Sequence, residues 1–288
     1  MRWSTTILAL GLAVVAAVAV VQCHRPAAPA AALNPAMARI EATQTLRCGY
    51  VPYYPAMVKD EKTAEFKGFD VDLMQAVTQR LGVKLEWSVE SSWMNVVTDL
   101  TAGKFDMLCN TYWTNPQTAQ HTLYSRPIFY QPLFIAAREA DTRFDNDLQR
   151  INAKDITIAV LDGDAPVEIA AETFPQAKLH ALPHNVPFAQ VMLEVASGKA
   201  DVTIVDANNF GGFAAANPGQ LKLVQVDKPV RVLPVSFVFG PHDYLLKNAV
   251  DNVLDQMILE GSAAKIVKRG ATHPSALYPA IIPYVQIP

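Results

Sequence analysis

The chain has 288 residues, with 24 Lys or Arg against 27 Asp or Glu and a formal net charge of −3. No block of like charge stands out, so the composition argues against nucleic acid or an anionic surface as a partner. The length is enough for two compact lobes, each burying its own core.

Arg2 precedes an unbroken apolar and small run over residues 7–21, short for a membrane span but suited to the core of a secretory signal. The protein is therefore expected in the periplasm, exported by an N-terminal signal over residues 1–23. Cys23 follows Val20-Val21-Gln22, similar to a lipoprotein box except that Gln22 stands where a small residue belongs. Lipidation is the less favoured outcome; cleavage near Pro26 and retention as a membrane tether both stay open. An Ala/Pro-rich tether over residues 24–43 would lie outside the fold.

From residue 45 the chain alternates strand and helix. Strands are expected at 46–51, 84–89 and 105–111, with helices at 69–81 and 92–102. In the helix over 69–81, Leu73, Val77 and Leu81 recur at helical spacing. Asp70 and Asp72 complement its positive end, and Gly82 can take the left-handed turn that stops it. A second set begins near 156, with strands at 156–161, 178–182, 201–205 and 221–226 separated by helices. Strands separated by helices imply α/β lobes with doubly wound, mainly parallel sheets. Extended segments at 129–138 and 230–239 read as a two-strand hinge. Helices over 244–260 and 262–268 are too few for another domain and must return to the first lobe. The expected division is lobe 1 over 44–136, lobe 2 over 137–232, and a return to lobe 1 with a C-terminal tail over 233–288.

Cys48 and Cys109 each fall in an expected buried strand, which favours small core residues over a disulfide, although export permits the bond. The six His are scattered. No metal site and no cofactor is expected.

The run Gly68-Phe69-Asp70-Val71-Asp72-Leu73-Met74 resembles the signature of family 3 periplasmic solute-binding proteins, the receptors of ABC importers for amino acids and other small polar solutes. Leu46-Arg47-Cys48-Gly49-Tyr50, Ser92-Trp93, Gly103-Lys104-Phe105-Asp106 and Gly198-Lys199-Ala200-Asp201 match further family motifs in order, over about residues 46–270. The resemblance implies a two-lobed periplasmic-binding-protein fold that closes over its solute. It also implies a monomer whose partners are a small polar solute and a membrane permease.

Ligands of open α/β sheets bind outside the carboxyl ends of the strands. The resemblance places Tyr54, with Tyr53 beside it, as a stacking aromatic, and Asn110, Thr111, Tyr112 and Trp113 in the binding segment. Trp113 could equally plug the surface between the lobes. Asp206 falls where the family binds a ligand amino group, with capping of the next helix as its structural alternative. Asp162 and Asp164 stand at a helix start where amino-acid binders receive a carboxylate, and their acidity argues against an anion there. Thr118 stands where amino-acid binders carry an arginine for the α-carboxylate, and threonine cannot replace that fork. Arg126 could reach the same region or make a structural salt bridge.

Two solute readings stay open, an amino acid if Arg126 enters the cleft, and an amine, another cation or a neutral polar compound if it does not; the second is favoured. No catalytic residue is identified. Two other classes are carried: a periplasmic enzyme similar to cyclohexadienyl dehydratases, and a ligand sensor acting on a membrane partner.

Overall fold

The computed structural model describes residues 34–183 and 185–280. The expected signal, Cys23 and the last eight residues of the tail lie outside the described residues.

The chain opens with helix α1 (Pro35–Thr43) and strand β1 (Thr45–Tyr50). A small hairpin, β2 (Val58–Lys59) and β3 (Phe66–Lys67), precedes α2 (Phe69–Leu81), β4 (Lys84–Glu90), α3 (Val96–Thr101), β5 (Met107–Trp113) and β6 (Leu123–Tyr124). The long β7 (Phe129–Arg138) leads to β8 (Thr157–Leu161), α4 (Ala165–Thr173), β9 (Lys178–Leu182), α5 (Phe188–Ala196), β10 (Val202–Asp206), α6 (Ala207–Ala216) and β11 (Leu221–Val224). A second long strand, β12 (Arg231–Phe239), is followed by α7 (Tyr244–Leu259), α8 (Ser262–Gly270) and β13 (Tyr278–Pro279).

The principal strands lie in the order β4-β1-β5-β12-β7-β10-β8-β9. β1 is parallel to β4 and β5, and β8 is parallel to β9 and β10, as strands joined by helical crossovers must be. Between these two parallel sets, β12 and β7 run antiparallel to each other and to their outer neighbours. β7 pairs with β12 over Phe129 to Leu133 and with β10 over Leu133 to Ala137, so one continuous strand serves both sets. β12 does the same, pairing with β7 up to Val235 and with β5 from Val235 onward. The result is the two-lobed α/β fold, with two long strands as the connection.

One core joins Leu73 and Val77 of α2, Met107 of β5, Phe237 of β12, and Val250 and Leu254 of α7. Thus the last helices pack on the first lobe. Ion pairs of Arg80 with Glu260 and of Arg269 with Asp72 stitch α2 to the helices that return. The second lobe buries both faces of its sheet, Ile158, Ile169 and Val202 on one side and Ala159, Val191 and Phe213 on the other.

Three local features differ from expectation. Pro35–Thr43, within the expected tether, is helical: Ala36 and Ile40 enter the core, and Ala36 N–H donates to buried Asp243 at 2.8 Å. Arg39 of this helix and Arg47 of β1 both pair with buried Asp106, fixing the helix to the sheet. Cys48 and Cys109, expected as free core residues, form a disulfide across the adjacent strands β1 and β5, with Cα atoms 5.4 Å apart. Finally, no side chain caps α2. Its start is set by Gly68, at φ 125°, where an added Cβ would lie 2.2 Å from the Ala56 carbonyl oxygen. Asp70 turns inward instead of capping. Gly82 takes the left-handed conformation at the other end, as expected.

Candidate functional site

The carboxyl ends of β1 and β5 in the first lobe, and of β8 and β10 in the second, come together. From the turn after β1, Tyr53 reaches across to Asp206 at the end of β10, its hydroxyl donating to Oδ2 at 3.4 Å. Asn209, one turn into α6, donates from Nδ2 both to the Tyr53 hydroxyl and to Asp206 Oδ2. The other oxygen of Asp206 caps α6, accepting from Asn208 N–H at 2.9 Å and Asn209 N–H at 3.1 Å. Capping and the contact with the opposite lobe are therefore divided between the two oxygens of one buried carboxylate.

Burial raises the pKa of Asp206 above its ordinary value, since a charged carboxylate loses water there, and hydrogen bonds from Asn209 and Asn208 offset part of this. Asp164 caps α4 through Oδ1, accepting from Ala165 N–H at 2.9 Å. Its pKa is also raised, first by burial and then by the negative charge of Asp206. Both carboxylates act on Tyr53, whose hydroxyl is held well above its usual pKa chiefly by burial. Tyr112 is pushed up to about 12 by burial, with Tyr124 and Asp164 adding to it. Acidic groups from two strand ends thus face tyrosines from the opposite lobe.

Those tyrosines belong to a continuous aromatic wall. Tyr53 meets Trp93 edge-on at 5.7 Å between centroids, Trp93 meets Tyr112 at 5.8 Å, and Tyr112 stacks on Tyr124 at 6.3 Å. The wall runs from Asp206 to Thr118, whose Oγ1 is hydrogen-bonded to the Tyr124 hydroxyl. The same hydroxyl accepts from Asn115 N–H at 3.3 Å.

Other residues singled out in the sequence lie outside this cluster or have other partners. Tyr54 is 62% exposed and lies at the rim against α6, where a Cβ on Gly212 would stand 3.5 Å from its ring. Asn110 spends its amide on Val51, accepting from N–H at 2.7 Å and donating to the carbonyl at 2.9 Å. Thr111 donates its hydroxyl and its N–H to Asp70, at 2.8 and 3.1 Å. Trp113 packs between the cores of the two lobes and donates Nε1–H to Gln131 at 2.6 Å. Asp162 is exposed at the mouth. Arg126 is directed away, its guanidinium paired with Asp255 of α7 and its N–H donating to Asp251.

Sequence reasoning gave no role to Tyr124 or to Asp70 as an anchor, placed Asn209 only at the end of a strand-end loop, and used Trp93 only as part of a family motif. Asn209 had one available signal, its place three residues past a strand-ending aspartate. A further contact between the lobes, Thr272 after α8 donating to the Asn208 carbonyl at 2.7 Å, had none.

Two α/β lobes joined by a pair of strands, with aromatic side chains of the first meeting carboxylates and an amide of the second at the strand ends, have the architecture of the solute-binding proteins. The chain belongs to the bacterial extracellular solute-binding proteins, family 3, whose model matches residues 46–270. It is 27% identical over 205 residues to a cyclohexadienyl dehydratase of Pseudomonas aeruginosa, covering 70% of this chain and 73% of that protein. A probable amino-acid ABC transporter-binding protein of Haemophilus influenzae is 22% identical over 228 residues, 79% of this chain and 85% of its own length. Among solved structures, an ancestral cationic amino acid solute-binding protein matches at 28% identity with a TM-score of 0.65, over 82% of this chain and 99% of that one.

Proposed function

We propose that the protein is a periplasmic receptor that closes over a small polar solute and delivers it to the permease of an ABC importer. The observation that carries this reading is the Tyr53–Asp206 hydrogen bond, which joins the strand ends of the two lobes at the place a solute would bridge them. A solute favours closure only through contacts it makes in the closed form and lacks in the open one, that is, contacts to both lobes. Asp206 and Asn209 supply the polar half of the site, and Tyr53, Trp93 and Tyr112 supply the flat half. A charge-assisted hydrogen bond to Asp206 in a largely dry cleft is stronger than one in water. The test is thermal unfolding of the purified chain, stripped of carried-over solute, against amino acids, amines and neutral polar compounds. A bound solute raises the midpoint with its concentration. A midpoint unmoved by the whole panel would reject the receptor reading.

A second reading, a dehydratase, draws support from Asp164. A carboxyl that burial makes a weaker acid than a free one holds its proton to higher pH and could protonate a leaving hydroxyl, and one relative at 27% identity is named a cyclohexadienyl dehydratase. Incubation with a cyclohexadienyl acid, followed by ultraviolet absorbance of an aromatised product, tests it. Turnover that disappears in Asp164→Asn would establish the enzyme. No turnover by a chain that binds a solute would reject it.

A further inference from the structure

We infer that the solute is a monoamine cation with an aromatic or aliphatic body and no carboxylate, and that the Thr118–Tyr124 hydroxyl pair makes this choice. The inference rests on the receptor reading above and names the solute class of the same cleft.

The cleft is chemically lopsided. At one end lie two carboxylates, Asp164 at the start of α4 and Asp206 at the start of α6, with the Tyr53 hydroxyl bonded to the second. Arg126, the cation that the sequence offered for this cleft, is engaged elsewhere, with Asp255 of α7. An ammonium group would neutralise the acidic end, and its N–H donors suit the carboxylate oxygens. A carboxylate at the same end would meet like charge without a counter-ion, which costs more in a dry site than in water.

The opposite end decides between amines and amino acids. There the wall finishes at Tyr124, whose hydroxyl is already bonded to Thr118 Oγ1 and to Asn115 N–H. Thr118 Oγ1 is also within 3.1 Å of the Asn115 carbonyl oxygen. The hydroxyl pair itself is neutral and its polar atoms satisfy one another, while the carboxylate beside it, Glu168 of the other lobe, is exposed and accepts from the Gln117 amide at 3.2 Å. The pair can lie against an apolar body or a neutral tip, but it offers no charge to a second ionised group. A diamine would leave its distal ammonium against neutral hydroxyls, with the solvent-exposed Glu168, already bonded to Gln117, beside them, and an amino acid would leave its carboxylate without a cation. The run of rings from Trp93 through Tyr112 to Tyr124 favours a flat or hydrocarbon body between the two ends.

The experiment compares solutes differing in one group. Calorimetric titration of the stripped chain uses 2-phenylethylamine, L-phenylalanine and 1,4-diaminobutane, with Thr118→Arg measured in parallel. The monoamine is expected to bind at least tenfold more tightly than either of the others. Thr118→Arg, which puts a cation at the neutral end, is expected to shift the preference towards L-phenylalanine by tenfold or more. The comparison within the parent stands even if that variant does not fold. Tighter binding of L-phenylalanine or of 1,4-diaminobutane by the parent overturns the inference, as does an unchanged preference in a folded Thr118→Arg. If none of these three binds while another amino acid or a neutral solute does, the monoamine class is wrong and the receptor reading survives. If no solute of any class binds, both fail.

Discussion

The Tyr53 hydroxyl donates to Asp206 Oδ2 at 3.4 Å, joining residues 153 positions apart in the chain and on opposite lobes. With Asn209 donating to both, the tyrosine occupies the face of the carboxylate that a solute cation would need. Tyr53 is a tie between the lobes and, in the proposed receptor, a competitor of the solute. A long hydrogen bond of this kind contributes about 1 kcal/mol, enough to shift a closed-to-open ratio roughly fivefold. Tyr53→Phe is expected to open the solute-free protein, seen as a larger radius of gyration in small-angle scattering, with saturating solute restoring the parent profile. Superimposable solute-free profiles for parent and variant would show that the tie has no part in closure.

Asp206 caps α6 and, in the proposed receptor, meets the solute, and one substitution separates the two roles. Asn caps helices about as well as Asp, so Asp206→Asn keeps an acceptor for Asn208 and Asn209 N–H and should change unfolding stability by less than about 1 kcal/mol. It removes the charge. Loss of one partner of a buried, hydrogen-bonded charge pair costs about 2 kcal/mol or more, so affinity for an amine should fall roughly 30-fold or further. In the parent, protons compete with the cation for Asp206. Because its pKa is raised, affinity should keep climbing with pH beyond the ordinary carboxylate range near 4, whereas Asp206→Asn should show a flatter profile. Equal pH profiles in titrations of the two proteins would remove Asp206 from the site.

Asp70 sets a different pH dependence, one of stability. Fully buried, it accepts the hydroxyl and N–H of Thr111 and the amide of Asn110, yet desolvation outweighs these bonds and raises its pKa to about 7. The folded protein then holds a proton that the unfolded chain, with a value near 3.8, releases. Between about pH 4 and pH 7 the native state binds more protons, so this contribution is complete below the window and is lost as pH rises through it. Asp164 and Asp206, also raised, act in the same direction. Urea unfolding at pH 4.5 and 7.5 should show a smaller pH-dependent change for Asp70→Asn than for the parent. An equal change in both would assign the effect to other groups.

The sequence carried the architecture because it repeats a strong local signal. Alternating strands and helices imply crossovers, and the long apolar runs of β7 and β12 read as extended connections before their pairing was known. The site was less legible, since its geometry depends on residues far apart in the chain. Tyr53 and Tyr54 are adjacent in a turn with no periodicity to orient them, and only the fold shows that the first meets Asp206 while the second faces solvent. Asn110 and Thr111 resemble ligand contacts in a strand-end loop, but the first turn of α2 brings Asp70 against them across about 40 residues. α1 was hidden for a compositional reason: Pro and Ala suggested a tether, and the pairing of Arg39 with Asp106 that holds the helix has no sequence periodicity.

The disulfide shows the same dependence on strand order and gives a further prediction. Cys48 and Cys109 are 61 positions apart, and their strands become neighbours only once the parallel sheet of the first lobe is assembled. Both strands feed loops of the cleft: β1 leads to Tyr53, and β5 carries Asn110 to Trp113. The bond is buried in the first-lobe core, which protects it in the folded state. Closing a loop of this length restricts the unfolded chain, for a stabilisation of about 2–4 kcal/mol. The double substitution Cys48→Ala, Cys109→Ala should therefore lower the unfolding midpoint by roughly 4–16 °C for a protein of this size. Binding should change less than stability, because neither sulfur lines the cleft. A midpoint equal to that of the oxidised parent, measured with and without reductant, would show that the bond does not stabilise the native protein.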